Sequence, residues 1–209
     1  MQLFSTDNPT PPPMHAAPRV REGDVRGHLP LWAVRLVVCF IAIVSAGFAS
    51  PAFGQDIDRE YKLKAVYLHH FVTYTKWPKK AFRTTNSPFV IGILGPDPVG
   101  NDLRTIALKK KIDGRKIVIR NYNKVAAVRG CQILFMSKTL KRKTQQDANK
   151  RLAGKNILLV GETVDFLNDG GVVRFAIRDN RIHIHIKKSA YKRESLEISA
   201  QLLRIATVE

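Results

Sequence analysis

Two pairs of histidines are the side chains best suited to bind a metal ion. His183 and His185 alternate with isoleucines, so they point to the same side of a strand, and His69 and His70 are adjacent on a helix. A zinc site needs three or four ligands, and no Cys, Asp or Glu is grouped with either pair in the sequence. The alternation is typical of the solvent face of an edge strand, so we expect neither a metal ion nor a cofactor.

A glycine-containing loop, GILGPDPVG, follows a strand and precedes a helix, as a phosphate-binding loop would. Gly92, Gly95 and Gly100 match neither the dinucleotide-binding spacing nor the Walker spacing. Pro96 and Pro98 also remove two of the backbone amides that such a loop would use. The segment therefore predicts a tight strand-to-helix turn rather than a nucleotide site.

Cys131 is the candidate nucleophile, and it begins the apolar run CQILFM. Such a run predicts burial, whereas a reactive thiol needs exposure and a neighbouring base. The sequence has no Gly-x-Ser-x-Gly motif and no pair of carboxylates with a shared role. We therefore expect no catalytic residues and no enzymatic activity. Cys131 is expected to pack as a small apolar residue, the alternative being a disulfide that joins two copies into a homodimer.

The elements that position these residues alternate between helices and strands. Apolar residues at steps of three and four predict helices over residues 58–77, 97–109 and 138–152, the last of them capped by Ser137. Apolar runs predict strands over residues 88–95, 115–120, 131–136 and 155–160, and two alternating strands surround an Asp179-Asn180 turn. This order predicts an α/β fold, a three-layer sandwich with a mainly parallel sheet and an antiparallel C-terminal hairpin at the edge.

Residues 1–54 are expected to be an N-terminal extension and signal peptide. The uncharged stretch at residues 36–49, LVVCFIAIVSAGFA, is short for a membrane span, which needs about 20 residues. It has the length of a signal-peptide core, and Ala52-Phe53-Gly54 reads as a cleavage site. We expect export to the periplasm, with an uncleaved inner-membrane anchor as the alternative, and a single domain over residues 55–209.

The expected mature domain is strongly basic. From Gln55 onward the sequence has 31 Lys and Arg against 14 Asp and Glu. This charge attracts anionic partners, such as an anionic membrane surface or an acidic protein domain. Nucleic acid is not expected as a partner, because an exported protein is separated from the nucleic acids of the cytoplasm. The basic runs also lack the interleaved aromatic residues that stack on bases.

Five sequence blocks resemble successive blocks of the YfiR family: YKLKAVYLHHFVTYTKWP, PFVIGILGPDPVG, CQILFMS, GGVVRFAIRDNRIHIHI and LEISAQLLRIA. The resemblance implies an exported, non-enzymatic regulatory binding protein. It would sequester the periplasmic part of a membrane-bound signalling enzyme such as a diguanylate cyclase, and so act in cyclic-di-GMP signalling. Disulfides stabilise the characterised repressor of this family. Cys131 has no second cysteine from Gln55 onward, so redox control through an intramolecular disulfide is not expected.

Two sets of residues are candidates for binding. The contact surface for a partner protein is predicted on the first helix and the segment after it, at Tyr67, His70, Phe71, Tyr74 and Trp77. The alternative function is an exported small-ligand-binding domain that uses the crevice at the carboxyl ends of the parallel strands. That crevice would be lined by Gly95, Gly100, Ser137, Gly161 and Thr163.

Overall fold

The computed structural model describes residues 53–209, with side chains from residue 58 onward. The predicted signal segment at residues 36–49 lies outside this part of the chain. None of the helices within residues 53–209 combines the length and the apolar character that crossing a membrane requires.

Within residues 53–209 the chain forms five α-helices and ten strands. The helices are α1 (Phe53–Tyr74), α2 (Gly100–Lys109), α3 (Arg142–Leu152), α4 (Lys188–Arg193) and α5 (Ala200–Arg204). The longer strands are β2 (Phe89–Leu94), β4 (Arg115–Tyr122), β5 (Ile133–Met136), β6 (Leu158–Gly161), β7 (Val173–Arg178) and β8 (Arg181–Ile186). The short strands are β1 (Thr75–Lys76), β3 (Lys111–Ile112), β9 (Glu197–Ile198) and β10 (Ala206–Val208).

An eight-stranded sheet organises the fold, in the order β10-β8-β7-β6-β5-β2-β4-β3. The five strands from β7 to β4 are parallel, β8 is antiparallel to β7, and β3 is antiparallel to β4. The chain moves from β2 to β4 in one direction and from β5 to β6 in the other. Right-handed crossovers therefore place α2 and α3 on opposite faces of the sheet, and α1 packs beside α2. The predicted three-layer α/β fold is confirmed.

The core lies on both faces of the central strands. Every residue of β2, β5 and β6 is buried, as their continuous apolar runs predict for strands covered on both sides. In the hairpin, Asp179 and Asn180 both have positive φ angles, 49° and 56°, which is the geometry of the tight turn expected there. β10 then pairs with β8 on its outer side, so the strand that carries His183 and His185 is not itself the edge strand.

The predicted cap at Ser137 is wrong. Its hydroxyl lies 2.7 Å from the Thr139 hydroxyl, and α3 begins five residues later, at Arg142. The segment between forms a turn in which the Leu140 amide donates to the Ser137 carbonyl. The first helix also ends before Trp77, because the chain leaves α1 to pair Thr75 and Lys76 with β9.

Candidate partner-binding surface

Three aromatic side chains form a row along the exposed side of α1. The ring centroids of Tyr67 and His70 are 6.3 Å apart and those of His70 and Tyr74 are 6.0 Å apart, both in edge-to-face geometry. His70 is exposed, whereas Tyr67 and Tyr74 are half-buried. Spacings of three and four residues place these rings on one side of the helix, which is the arrangement that the sequence predicts for a contact surface.

A groove lies next to this row, between α1 and the hairpin of β7 and β8. It has a volume of about 470 Å³ and includes Leu63 and Tyr67 from α1 and Ile177 and Ile182 from the hairpin. The side chain of Leu63 is 46% exposed and that of Ile177 is 43% exposed. Charged residues of both signs complete the lining: Arg59, Glu60, Asp179 and Arg181. A groove that combines exposed apolar side chains with charged ones is suited to contact with another protein.

Phe71 and Trp77 hold the fold together instead of lying on this surface. Phe71 is fully buried and stacks on Phe175, with ring centroids 5.7 Å apart. The Trp77 indole N–H donates a hydrogen bond of 3.1 Å to the Gln132 carbonyl, and its ring meets Phe89 edge-on. The structure therefore brings Tyr67, His70 and Tyr74 together at the surface and draws Phe71 and Trp77 inward. We refer to Tyr67, His70 and Tyr74, together with Leu63, Ile177 and Ile182 of the adjoining groove, as the α1 surface.

The residues predicted to line a ligand crevice lie close together at the carboxyl ends of the parallel strands, but the chain's own side chains fill the space. Gly95 follows β2, and a Cβ atom built there would lie 2.8 Å from the Leu140 side chain. Ser137 follows β5 and is buried. Gly161 ends β6, where the Phe166 ring occupies the position that a Cβ would need.

The two remaining crevice residues are held by hydrogen bonds within the chain. The Thr163 hydroxyl donates to the Gln145 side-chain oxygen at 3.1 Å. The Gly100 amide, at the start of α2, donates to the Asp97 carboxylate at 2.6 Å, and the same carboxylate accepts from Asn121. Asp97 thus occupies the position at which a helix N-terminus would bind an anion. Nothing in this arrangement favours the small-ligand function over the partner-binding one.

A buried charge cluster at the same edge was not anticipated from the sequence. Lys64 of α1, which is 1% exposed, donates to both Glu60 and Glu162. The second oxygen of Glu162 accepts from the Lys138 amide at 2.7 Å. The Lys138 ammonium lies 3.8 Å from Glu60. We refer to these four residues as the Lys64 cluster. Its signal in the sequence is a lysine in the apolar stripe of α1, one residue before the buried Ala65.

The Lys64 cluster also surrounds a tyrosine. The Lys64 ammonium lies 4.5 Å from the centre of the Tyr61 ring. Burial of the Tyr61 phenol, together with the negative charges of Glu162 and Glu60, raises the pKa of Tyr61 to about 12. The cluster ties α1 to the turns after β5 and β6, and so it fixes the helix that carries the α1 surface.

Cys131 and His185, the candidates for nucleophilic and metal chemistry, contact other parts of the fold. Cys131 is buried, and burial raises the pKa of its thiol to about 12, so it packs as the sequence predicts. The His185 ring nitrogen lies 3.0 Å from the Glu209 carboxylate. Within residues 53–209, no group of three or more metal-binding side chains is found.

Comparison with known proteins gives one family. The sequence matches the YfiR/HmsC-like family over residues 61–207 of its 209 residues. No curated protein matches the sequence.

Among solved structures, the chain is similar to a conserved domain protein from Vibrio cholerae O1 biovar El Tor str. N16961. The sequence identity is 13% and the TM-score is 0.39. The similarity covers 57% of this chain and 54% of that chain. This chain therefore spans about half the length of that solved structure.

Proposed function

The chain belongs to the YfiR/HmsC-like family, as its sequence blocks predict, and on that premise we propose that it is an exported, non-enzymatic regulator. Proteins of this family are known as periplasmic regulators. The chain would bind the periplasmic part of a membrane signalling enzyme, such as a diguanylate cyclase, and hold it inactive by contact.

The α1 surface is the observation that supports this proposal. It exposes Leu63, Ile177 and the His70 ring on two rigid elements, a 22-residue helix and a tight hairpin. Large apolar side chains left in water beside a groove mark contact sites for other proteins. The Lys64 cluster and the Phe71–Phe175 stack hold α1 in one position, so binding a partner costs little conformational entropy.

Site-specific photocrosslinking in intact cells tests the proposal. A photoreactive amino acid is placed at His70, which is exposed on the α1 surface, and in a second strain at Val164, which is 80% exposed in a loop after β6. Crosslinked partners are then purified and identified by mass spectrometry. We expect the His70 position to capture a membrane protein with a periplasmic domain, and the Val164 position to capture much less of it.

Two results would contradict the proposal. Equal capture from both positions would show that the α1 surface is not the contact site. If neither position captures a membrane protein in cells that export folded protein, the proposed regulatory function itself is contradicted.

A further inference from the structure

A basic surface with a protruding leucine lies at the edge of the sheet opposite the hairpin. It is formed by the last turn of α2, the short strand β3 and the adjoining part of β4. These elements enclose a shallow cleft of about 540 Å³. We refer to it as the Leu108 surface, and its lining includes Arg104, Leu108, Lys110, Lys111, Lys116 and Ile119.

Leu108 points away from the protein. Its side chain is 89% exposed, whereas Leu103, on the inner side of the same helix, is 1% exposed. The fold therefore gains nothing from an apolar side chain at position 108. Burying a leucine side chain is one of the larger favourable contributions that a single residue makes to an association.

Positive charge surrounds this leucine. Arg104, Lys110, Lys111 and Lys116 line the cleft together with Leu108. Arg104 is paired with Asp97 at 3.3 Å, so the lysines supply most of the unbalanced positive charge. Lys109, Lys110 and Lys111 directly follow Leu108 and are all exposed. The occupant must therefore be anionic and must also offer an apolar layer.

A second copy of this chain does not satisfy both requirements, because two such surfaces would repel each other. Nucleic acid supplies the charge but offers no apolar layer for a leucine. We propose that the Leu108 surface binds an anionic phospholipid bilayer. The lysines contact the headgroups and the Leu108 side chain inserts among the acyl chains, which adapt to a single protruding group. An apolar anchor combined with a basic cluster is the general design of proteins that bind reversibly to membrane surfaces.

Vesicle sedimentation tests this inference. The protein is expressed from the full 209-residue chain, purified, and mixed with vesicles of phosphatidylcholine alone or with one third phosphatidylglycerol. Each basic residue near an anionic surface changes the affinity about fivefold, so the triple replacement of Lys109, Lys110 and Lys111 by Gln should weaken binding on the order of 100-fold. Leu108→Ser should weaken it about tenfold. Binding of the wild type should fall as salt is raised.

Matched variants act as controls. Val164→Ser changes a side chain that is nearly as exposed as Leu108, 80% against 89%, but lies elsewhere, and it should leave binding unchanged. Lys141, Lys143 and Lys150 are exposed near or on α3. Their replacement by Gln should weaken binding much less than replacement of the three lysines beside Leu108 by Gln. All these side chains are exposed, so circular dichroism should show an unchanged fold.

Three outcomes would overturn the inference. The first is equal binding of the wild type and of both Leu108-surface variants. The second is a loss with the lysine variant but none with Leu108→Ser, because the leucine would then not insert. The third is no binding of folded wild type to the phosphatidylglycerol vesicles, which would leave an acidic protein as the occupant. The α1 surface takes no part in this experiment, so the proposed regulatory function is tested separately.

Discussion

Replacement of Lys64 by Met tests whether the buried charge cluster holds α1 against the sheet. The Lys64 side chain is 1% exposed and that of Glu162 is 3% exposed, whereas that of Glu60 is 18% exposed. Met keeps most of the aliphatic packing but removes the positive charge. Glu162 would then be left buried with one remaining hydrogen bond, from the Lys138 amide.

Removing one partner of a buried ion pair costs about 3–5 kcal/mol, because the other charge stays buried without compensation. Glu60 keeps part of its hydration, and the exposed Lys138 ammonium, 3.8 Å from it, can move closer. We therefore expect a loss near the lower limit, about 3 kcal/mol. In a urea unfolding experiment this corresponds to a midpoint lower by roughly 1 M or more.

Two further variants separate the buried charge from simple loss of a lysine. Lys62 forms an i,i+4 pair with Asp58, with side chains 57% and 66% exposed, so Lys62→Met should lower the free energy of unfolding far less than Lys64→Met. Adding Glu162→Gln to Lys64→Met removes the orphaned charge and should recover much of the loss. The reasoning is refuted if Lys64→Met costs no more than Lys62→Met, or if the double variant is less stable than Lys64→Met.

Three other predictions follow from single contacts. Gly161→Ala should destabilise the protein by about 2 kcal/mol, because the new Cβ collides with Phe166. In urea unfolding, adding Phe166→Leu should recover part of that lost stability, whereas additive losses from the two substitutions would contradict the collision. Burial, with the charges of His70 and Lys110, lowers the pKa of His69 below 6.5. As the pH falls, the unfolded chain therefore protonates His69 before the folded protein does, and the stability that is present above pH 6.5 should be lost below it. When unfolding is measured between about pH 7 and pH 5, the wild type should lose more stability than His69→Gln. Equal losses in the two proteins would refute this. In a Cys39→Ser background, the thiol of Cys131, with its pKa of about 12, should react with a thiol reagent near about pH 8 only after urea is added; rapid reaction of the folded protein would show that the thiol is accessible.

The strands and their order of appearance were predictable because their signals are local. The runs in β2, β5 and β6 are apolar throughout, and the Asp179-Asn180 pair favours the positive φ angles of a tight hairpin turn. The start of α3 was not predictable in the same way. Ser137 is a good helix cap by type, but the turn that follows it delays the helix to Arg142.

The candidate surface was predictable only in part, since burial depends on contacts between distant segments. The spacing of Tyr67, His70 and Tyr74 along one helix predicts that they lie together. Phe175, however, is more than 100 positions beyond Phe71 in the sequence, and nothing local indicates that it covers that ring. The same holds for the pairing of Lys64 with Glu162, 98 residues apart, although a lysine in an apolar stripe is the local sign that a buried partner is needed.

The most direct test of the central claim is the cellular concentration of cyclic-di-GMP in a strain that lacks this protein. The strain is complemented with the wild type, with Leu63→Asp combined with Ile177→Asp, or with Val164→Asp, all exported to equal levels. The account predicts that loss of the protein raises the concentration, and that the wild type and the Val164 variant restore it while the double variant does not. A concentration that does not change on deletion, or that all three forms restore equally, would contradict regulation through the α1 surface.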